Sequence, residues 1–145
     1  MNSFIKSGKR YIEVLDQFEW LTPLVIRVVV GFVFLHSGWG KLHHVDKVAD
    51  FFEKLGIPAA RHQAPLVAVS EFVCGTLLLV GFLSRLVSLP LIATMAVAIL
   101  TAKRGDISEI NDLFGLTEFL YIVLLTVIVF RGPGPVSVDR TVGLE

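Results

Sequence analysis

The chain has 145 residues, of which 54% are hydrophobic and 18% are charged, and its mean hydropathy is +0.72. Soluble domains of this length carry more charge beside less apolar material, so the composition indicates a membrane protein with a single domain. The formal net charge is zero and no basic run resembles a phosphate-binding patch, which excludes a nucleic-acid partner.

Four apolar stretches follow one another along the chain and predict helices that cross the bilayer. Before them, the first twenty residues contain acidic and aromatic side chains but no apolar segment ending in a small-residue cleavage site, so we expect that no signal peptide is removed. Each stretch contains roughly 17 to 20 residues, enough to cross about 30 Å of hydrocarbon. The predicted spans are residues 22–38, 64–83, 86–102 and 113–130. We therefore predict an all-α membrane protein, a four-transmembrane-helix bundle with both termini on the same side.

The segments outside these spans predict one further helix and one extended tail. Between the first two spans, apolar residues recur at helical spacing from Val45 to Leu55, with charged residues mostly opposite. This pattern predicts a short interfacial helix that ends near Gly56. The tail, residues 131–145, contains too many glycines and prolines for a helix and is expected to be an extended surface segment. The loops on the two sides of the predicted membrane carry equal numbers of basic residues, so the positive-inside rule gives no direction of insertion.

The single cysteine limits the redox chemistry that the chain can carry by itself. Cys74 is the only cysteine and falls inside the second apolar stretch. An internal disulfide, a CxxC redox pair and a cysteine-based zinc site are therefore excluded. Any redox role must use a bound group.

Ionisable side chains inside the spans are candidate functional residues, because each costs several kcal/mol at membrane depth unless it is paired or hydrated. Counting about 1.5 Å per residue from the side of the termini, His36, Glu71 and Glu118 lie at one depth, roughly 19 to 23 Å up. Tyr121 is one turn below Glu118. Arg27 lies much lower, about 8 Å up by the same count. The candidate ligand-binding residues are Arg27, His36, Lys41, Glu71, Glu118 and Tyr121.

The helical phase of the first span separates two of these candidates. One face of this helix is formed by Arg27, Gly31, Phe34, Gly38 and Lys41. His36 is nine residues from Arg27 and points roughly the other way, so the two side chains cannot face the same wall of the bundle. Either they serve different interfaces, or the helix ends at Gly38 or before it.

Three interpretations of this polar layer remain open from the residues alone. The side chains could be hydrogen-bonded links between helices that glycines allow to approach closely. They could instead form a pocket that binds the polar head of a lipid-soluble molecule or transfers protons, since a histidine beside carboxylates titrates near neutral pH. A metal or haem site would use the clustered histidines, but no second fixed ligand spacing occurs, and we predict no metal site.

Several short motifs follow one another in a characteristic order along most of the chain. They are Arg27, Gly31, Phe34 and Gly38-x-x-Lys41; FFEKLGIP at residues 51–58; Glu71, Gly75, Leu79, Gly81 and Arg85; and GPGPVSVD at residues 132–139. This order and spacing resemble the DoxX family of small four-helix membrane proteins. Pro135 and Val136 depart from the family's pattern, which has a basic and an aromatic residue there.

The resemblance implies a membrane subunit that works with redox proteins. Relatives include the quinone-reducing membrane part of archaeal thiosulfate oxidation and partners in oxidative-stress complexes. We therefore predict an integral protein of a bacterial or archaeal cell membrane that binds a quinone-like or lipid ligand at the polar layer. Arg27 or Lys41 would hold a ligand oxygen, while His36 and a carboxylate would exchange protons. Electrons would come from a redox partner protein.

The main alternative is a membrane scaffold without chemistry of its own. In this hypothesis the interfacial helix at residues 45–55 and the tail recruit a redox or stress-response partner, and the polar layer only fixes helix packing. A transporter is a third possibility, although the paired broken helices typical of transporters are missing from the pattern. The small-residue faces also predict a homo-oligomer, such as a dimer.

Overall fold

The computed structural model describes residue 13 and residues 15–144, so the expectation about a signal peptide concerns residues that lie largely outside it. Within the described part, helices joined by turns form the whole chain and no strand occurs, which confirms the all-α prediction. The α-helices are α1 (Leu21–His43), α2 (Val45–Lys54), α3 (Ala60–Val80), α4 (Ser84–Leu100), α5 (Ile110–Gly115), α6 (Thr117–Arg131) and α7 (Val138–Thr141).

The four longest helices, α1, α3, α4 and α6, form a ring in which each helix packs against the next and α6 closes on α1. The main hydrophobic cluster consists of Val30, Phe34, Leu78, Val87, Leu91, Leu125 and Ile128. These residues come from the middle of α1, the end of α3, the first half of α4 and the second half of α6, so the core fills the half of the bundle that contains the turn between α3 and α4. In the opposite half, the buried hydrophobic residues among those described are the small Ala49, Ala60, Ala64 and Ala68, which do not belong to this cluster.

Two helices, α1 and α3, are long and apolar enough to cross a membrane. The helix α4 is apolar but has 17 residues, and α6 has 15. The first helix continues beyond the predicted end at Gly38, because this glycine is buried against α3 and packing outweighs its low helix propensity. The predicted fourth stretch, 113–130, is interrupted at Leu116, whose backbone is extended after Gly115.

The helices α1 and α3 approach each other through glycines. A Cβ atom on Gly38 would overlap the backbone of Phe72, and one on Gly31 would lie 2.8 Å from the backbone nitrogen of Leu79. Because residues 31 and 38 face residues 79 and 72, the two helices are antiparallel. The close approach predicted from the glycines is therefore found, but it occurs within one chain. This pairing covers the faces on which the homo-oligomer prediction rested.

We expect Gly38→Ala to destabilise the protein by about 1–3 kcal/mol, since the added methyl group meets backbone atoms that no side-chain rotation can move. Gly40 is the matched control, because it lies on the same helix and a methyl group added to it would have no neighbouring atom within 4 Å. Gly40→Ala should leave the free energy of unfolding unchanged or raise it by about 0.5–1 kcal/mol. Unfolding in detergent by titration with dodecyl sulfate, followed by circular dichroism, measures both. Equal effects of the two substitutions would contradict the packing described here.

The connection between α4 and α6 is fixed by a capping box at the start of α5. The backbone N–H groups of Ser108 and Glu109 donate hydrogen bonds to Oδ2 of Asp112, at 2.8 and 2.9 Å. These bonds favour the charged carboxylate and lower the pKa of Asp112 below its usual value. The loop is therefore held to the first turn of α5 by a local interaction, not by burial.

Candidate functional site

A buried ion pair joins α1 to α3 in the half of the bundle that lacks the core. Lys41 Nζ lies 2.5 Å from both carboxylate oxygens of Glu71, and Ser37 Oγ donates a hydrogen bond of 2.8 Å to Oε2 of the same carboxylate. The side chain of Glu71 is fully buried, whereas that of Lys41 is 29% exposed. Ser37 and Lys41 are four residues apart on one face of α1, which explains why both reach the same acid. The carboxylate is thus compensated within the chain.

A cavity of about 490 Å³ lies beside this ion pair, between α2, α3 and α4. Lys41 and Glu71 contribute its polar wall, and α2 covers it with the aromatic rings of Phe51 and Phe52. The opposite wall is formed by the last turns of α4 and the residues that follow it, from Ala93 to Ala102. The amphipathic helix predicted over residues 45–55 therefore exists as α2, and its apolar face lines this cavity. The arrangement is a mostly apolar space with one charged pair at its side.

Arg27 is buried at the other end of the bundle, where it binds the tail. Its Nη1 donates a hydrogen bond of 3.1 Å to the carbonyl of Pro133, and its Nη2 donates one of 2.6 Å to the carbonyl of Val136. Arg27 and Lys41 are 14 residues apart on α1, which corresponds to about 21 Å along the helix. The tail is therefore docked on the bundle, and the expectation of an extended surface segment was wrong. A loop rich in glycine and proline has carbonyls that are not engaged in a helix, and the buried guanidinium requires such acceptors.

Asp139 completes this tail contact on the helix α4. It is 2% exposed, and its two carboxylate oxygens accept hydrogen bonds of 2.6 and 2.9 Å from the backbone N–H groups of Leu83 and Ser84. Leu83 has a left-handed backbone with φ of 51°, which is unfavourable for a residue with a Cβ atom. The two bonds that Asp139 accepts stabilise this turn and cap the N-terminus of α4. We call the contacts of Arg27 and Asp139 with the tail and the turn the tail clamp.

The remaining predicted site residues lie apart from the Lys41–Glu71 pair. His36 is exposed on the outer face of α1, and its ring stacks on Phe32. This agrees with the helical phase, which placed His36 opposite Arg27. Glu118 is half-buried, with no hydrogen bond or ion pair to any residue in the described ranges. Tyr121 packs its ring against Phe34 at 5.7 Å between centroids. Equal depth thus did not bring His36 and Glu118 to Glu71.

Comparison with known proteins identifies the family of the chain. The DoxX family profile matches residues 22–104. The chain belongs to the DoxX family. It is 36% identical to the membrane protein Rv3486 of Mycobacterium tuberculosis, over 81% of this chain and 78% of the relative. It is 30% identical to the inner membrane protein YqjF of Escherichia coli, over 87% and 95% of the two chains. No solved structure matches it.

A third relative of this DoxX chain carries a name that refers to activity. The chain is 30% identical to CatD of Bacillus subtilis, a provisionally named oxidoreductase, over 71% of this chain and 72% of the relative. The relatives named as membrane proteins agree with the two helices, α1 and α3, that are long enough to cross a membrane. The resemblance read from the motifs is therefore confirmed at the level of the family.

Sequence reasoning missed two residues of the site in this DoxX chain. Ser37 bonds to Glu71, and its spacing of four residues from Lys41 was the available signal. Lys47 lines the cavity, although the helical pattern placed it among the residues opposite the apolar face. Lys47 flanks the apolar face of α2, and its long side chain can extend from there to the cavity. Among the residues that the structure describes, no group of three or more potential metal-ligating side chains comes together.

Proposed function

We propose that this DoxX protein spans the membrane four times and serves as the ligand-binding membrane subunit of an oxidoreductase system. The ring of α1, α3, α4 and α6 supports four crossings, with both termini on the same side. At about 1.5 Å per residue, the 17 residues of α4 cover about 26 Å, close to the hydrocarbon thickness of a thin bilayer. In this arrangement α2 lies at the interface, on the side away from the termini.

The ligand of this proposal is a quinone-like or lipid molecule, and the cavity beside Lys41 and Glu71 is its site. The observation that carries the proposal is an apolar cavity of about 490 Å³ with a buried, hydrogen-bonded ion pair in its wall. This volume lies within the range of about 300–1,000 Å³ typical of small-molecule sites. An ammonium group has three N–H donors, and Glu71 uses two of those on Lys41. The third can donate to a ligand oxygen.

The oxidoreductase part of the proposal assigns binding to this chain and electron donation to a redox partner protein. Support for it comes from the name of the relative CatD and from the site, which combines an apolar space with a donor and a carboxylate. A quinone needs such a space together with hydrogen-bond donors for its carbonyl oxygens. The position of His36 on the outer face makes Glu71 and Lys41 the proposed contacts with the ligand head.

The scaffold alternative needs the same surfaces for a different purpose. It would use the apolar face of α2 and the tail to capture a partner protein. In the structure Phe51 and Phe52 line the cavity, and the tail is held by Arg27. The rings of Phe51 and Phe52 thus serve as walls of the cavity and the tail is bonded to α1, which favours the ligand site over a surface for partner capture.

A cavity-filling substitution tests the proposal. We expect the purified protein to bind decylubiquinone saturably in calorimetric titration, and Ala98→Trp to weaken this binding at least about tenfold, because the indole occupies the space where the ligand lies. Val69→Trp is the matched control, since Val69 is 48% exposed on α3 and is not part of the cavity. Absence of saturable binding, or equal affinities of Ala98→Trp and Val69→Trp, would reject the proposed quinone site.

A further inference from the structure

We infer that the natural occupant of the cavity is an acidic membrane lipid, whose anionic head contacts Lys47 and Lys41 and whose acyl chain lies between α2 and α4. This inference rests on the proposed ligand site and narrows it to one class of ligand. Three observations support it: the net charge of the residues that line the cavity, the hydrogen-bonding groups there that are already paired, and the partly open shape of the cavity.

The ionisable residues that line the cavity are Lys41, Lys47 and Glu71, so its wall carries a net charge of +1. Both oxygens of Glu71 are bound by Lys41, and one of them also accepts from Ser37. Lys47 is exposed at the edge of α2, and no hydrogen bond or ion pair joins it to another residue within the described ranges. An uncompensated cation thus stands at the rim of an apolar space, and an anion is its complement.

The other polar side chains of the cavity reinforce this selectivity. Gln63 donates its amide N–H to the carbonyl of Pro58 at 2.7 Å. Thr94 and Thr101 donate their hydroxyl hydrogens to carbonyls of their own helix, at 2.9 and 2.7 Å. The charged donors left over are the ammonium N–H groups of Lys41 and Lys47. The carboxylate of Glu71 already accepts from two residues, Lys41 and Ser37. A head group rich in acceptor oxygens, such as a phosphate, fits this inventory, but the positive group of a zwitterionic head finds no unpaired carboxylate among the residues that line the cavity.

The shape of the cavity suits a ligand that is anchored in the bilayer. Its walls between α2 and α4 are apolar, with Phe51, Phe52, Val97 and Ala98 among the contributing residues, and the cavity is partly open to the surroundings. An acyl chain can therefore contact these walls and continue into the hydrocarbon. With α2 at the interface, as proposed above, Lys47 on the polar edge of this helix would lie at the level of the lipid head groups.

Competition between two lipids tests the inference. Native mass spectrometry of the whole protein in a neutral detergent would follow titration with phosphatidylglycerol and with phosphatidylcholine of the same acyl chains. We expect tighter binding of phosphatidylglycerol, and Lys47→Glu should weaken that binding at least about fivefold. Lys54→Glu is the control, since Lys54 lies on the same helix, is exposed and does not line the cavity.

The outcomes separate this inference from the proposed site. If Ala98→Trp prevents binding of both lipids but the wild-type protein binds them equally, the cavity is a ligand site and the acidic selectivity is wrong. Equal effects of Lys47→Glu and Lys54→Glu would also overturn it, because the preference would then reflect the overall charge of α2. If inorganic phosphate alone competes with phosphatidylglycerol at equal concentration, the site is a surface anion site and the role of the acyl chain is rejected.

Discussion

Replacing Lys41 with methionine is expected to destabilise the protein by roughly 2–4 kcal/mol. The substitution keeps most of the length and the apolar stem of the side chain but removes the only cation within hydrogen-bonding distance of Glu71 among the described residues. Glu71 is fully buried, so its carboxylate would keep a single hydrogen bond, from Ser37, without a counter-charge. An unpaired buried charge is among the few single changes that produce effects of this size.

Replacing the other member of the pair, Glu71, should destabilise the protein less than replacing Lys41. This asymmetry distinguishes an ion pair from simple packing. In Glu71→Gln the amide oxygen still accepts from Ser37, and Lys41, which is 29% exposed, can extend toward solvent. The double variant Lys41→Met with Glu71→Met should recover part of the stability lost in Lys41→Met, since no charge then remains buried.

Unfolding of these variants by dodecyl sulfate, followed by circular dichroism, provides the measurement. Lys103→Met is the matched control, because Lys103 belongs to an exposed pair with Asp106 and should change the free energy of unfolding by less than about 1 kcal/mol. A loss in Lys41→Met no greater than that in Lys103→Met would show that the pair does not stabilise the bundle. Decylubiquinone affinity of the folded variants would then report on the ligand contact separately.

Loss of the tail clamp is the second large effect that we expect. Asp139→Ala should destabilise the protein by about 3 kcal/mol, because it leaves the N–H groups of Leu83 and Ser84 without their acceptor at a buried turn. The change also removes an anion beside the buried Arg27, and it weakens support for the left-handed backbone of Leu83. Asp139→Asn should cost less, since one oxygen can still accept a bond.

Substitutions of Arg27, the other residue of the tail clamp, give an independent test. Arg27→Met should be comparably destabilising, and Arg27→Lys should not restore full stability, because a single ammonium cannot span two carbonyls as the planar guanidinium does. Val142→Ala, at an exposed position of the tail, is the control for changes near the chain end. Limited proteolysis of the tail should accelerate in the Arg27 and Asp139 variants. Protection equal to the wild type in both would contradict a clamp.

The clamp and the cavity lie at opposite ends of the bundle, and this separation bears on function. Arg27 was a candidate ligand contact, but in the structure its Nη1 and Nη2 atoms bind the tail carbonyls of Pro133 and Val136. The departure of Val136 from the family pattern does not affect this bond, because the contact is made by the backbone. One end of the bundle is therefore closed by its core and the tail, and the ligand site that we propose lies at the other end, beside Lys41.

Local sequence information predicted the helices because their causes are local. Apolar stretches, the helical spacing from Val45 to Leu55 and the glycines at residues 31 and 38 each act over a few turns. The boundaries were less accurate. The helix α1 continues through Gly38 because α3 covers it, and the stretch at residues 113–130 is broken at Leu116.

The candidate site was only partly predictable, for a physical reason. Counting residues along helices gives the depth of a side chain, but a contact also requires that two helices turn the same faces toward each other. His36 and Glu71 share a depth, yet Ser37 and Lys41 share the face that α3 covers, so these two bind the acid. The family, the helical class and the candidate acid Glu71 follow from the amino-acid sequence by itself. Only the tertiary structure decided that Lys41 pairs with Glu71, that α2 covers a cavity and that Arg27 holds the tail, because these contacts join segments 30 to 109 residues apart.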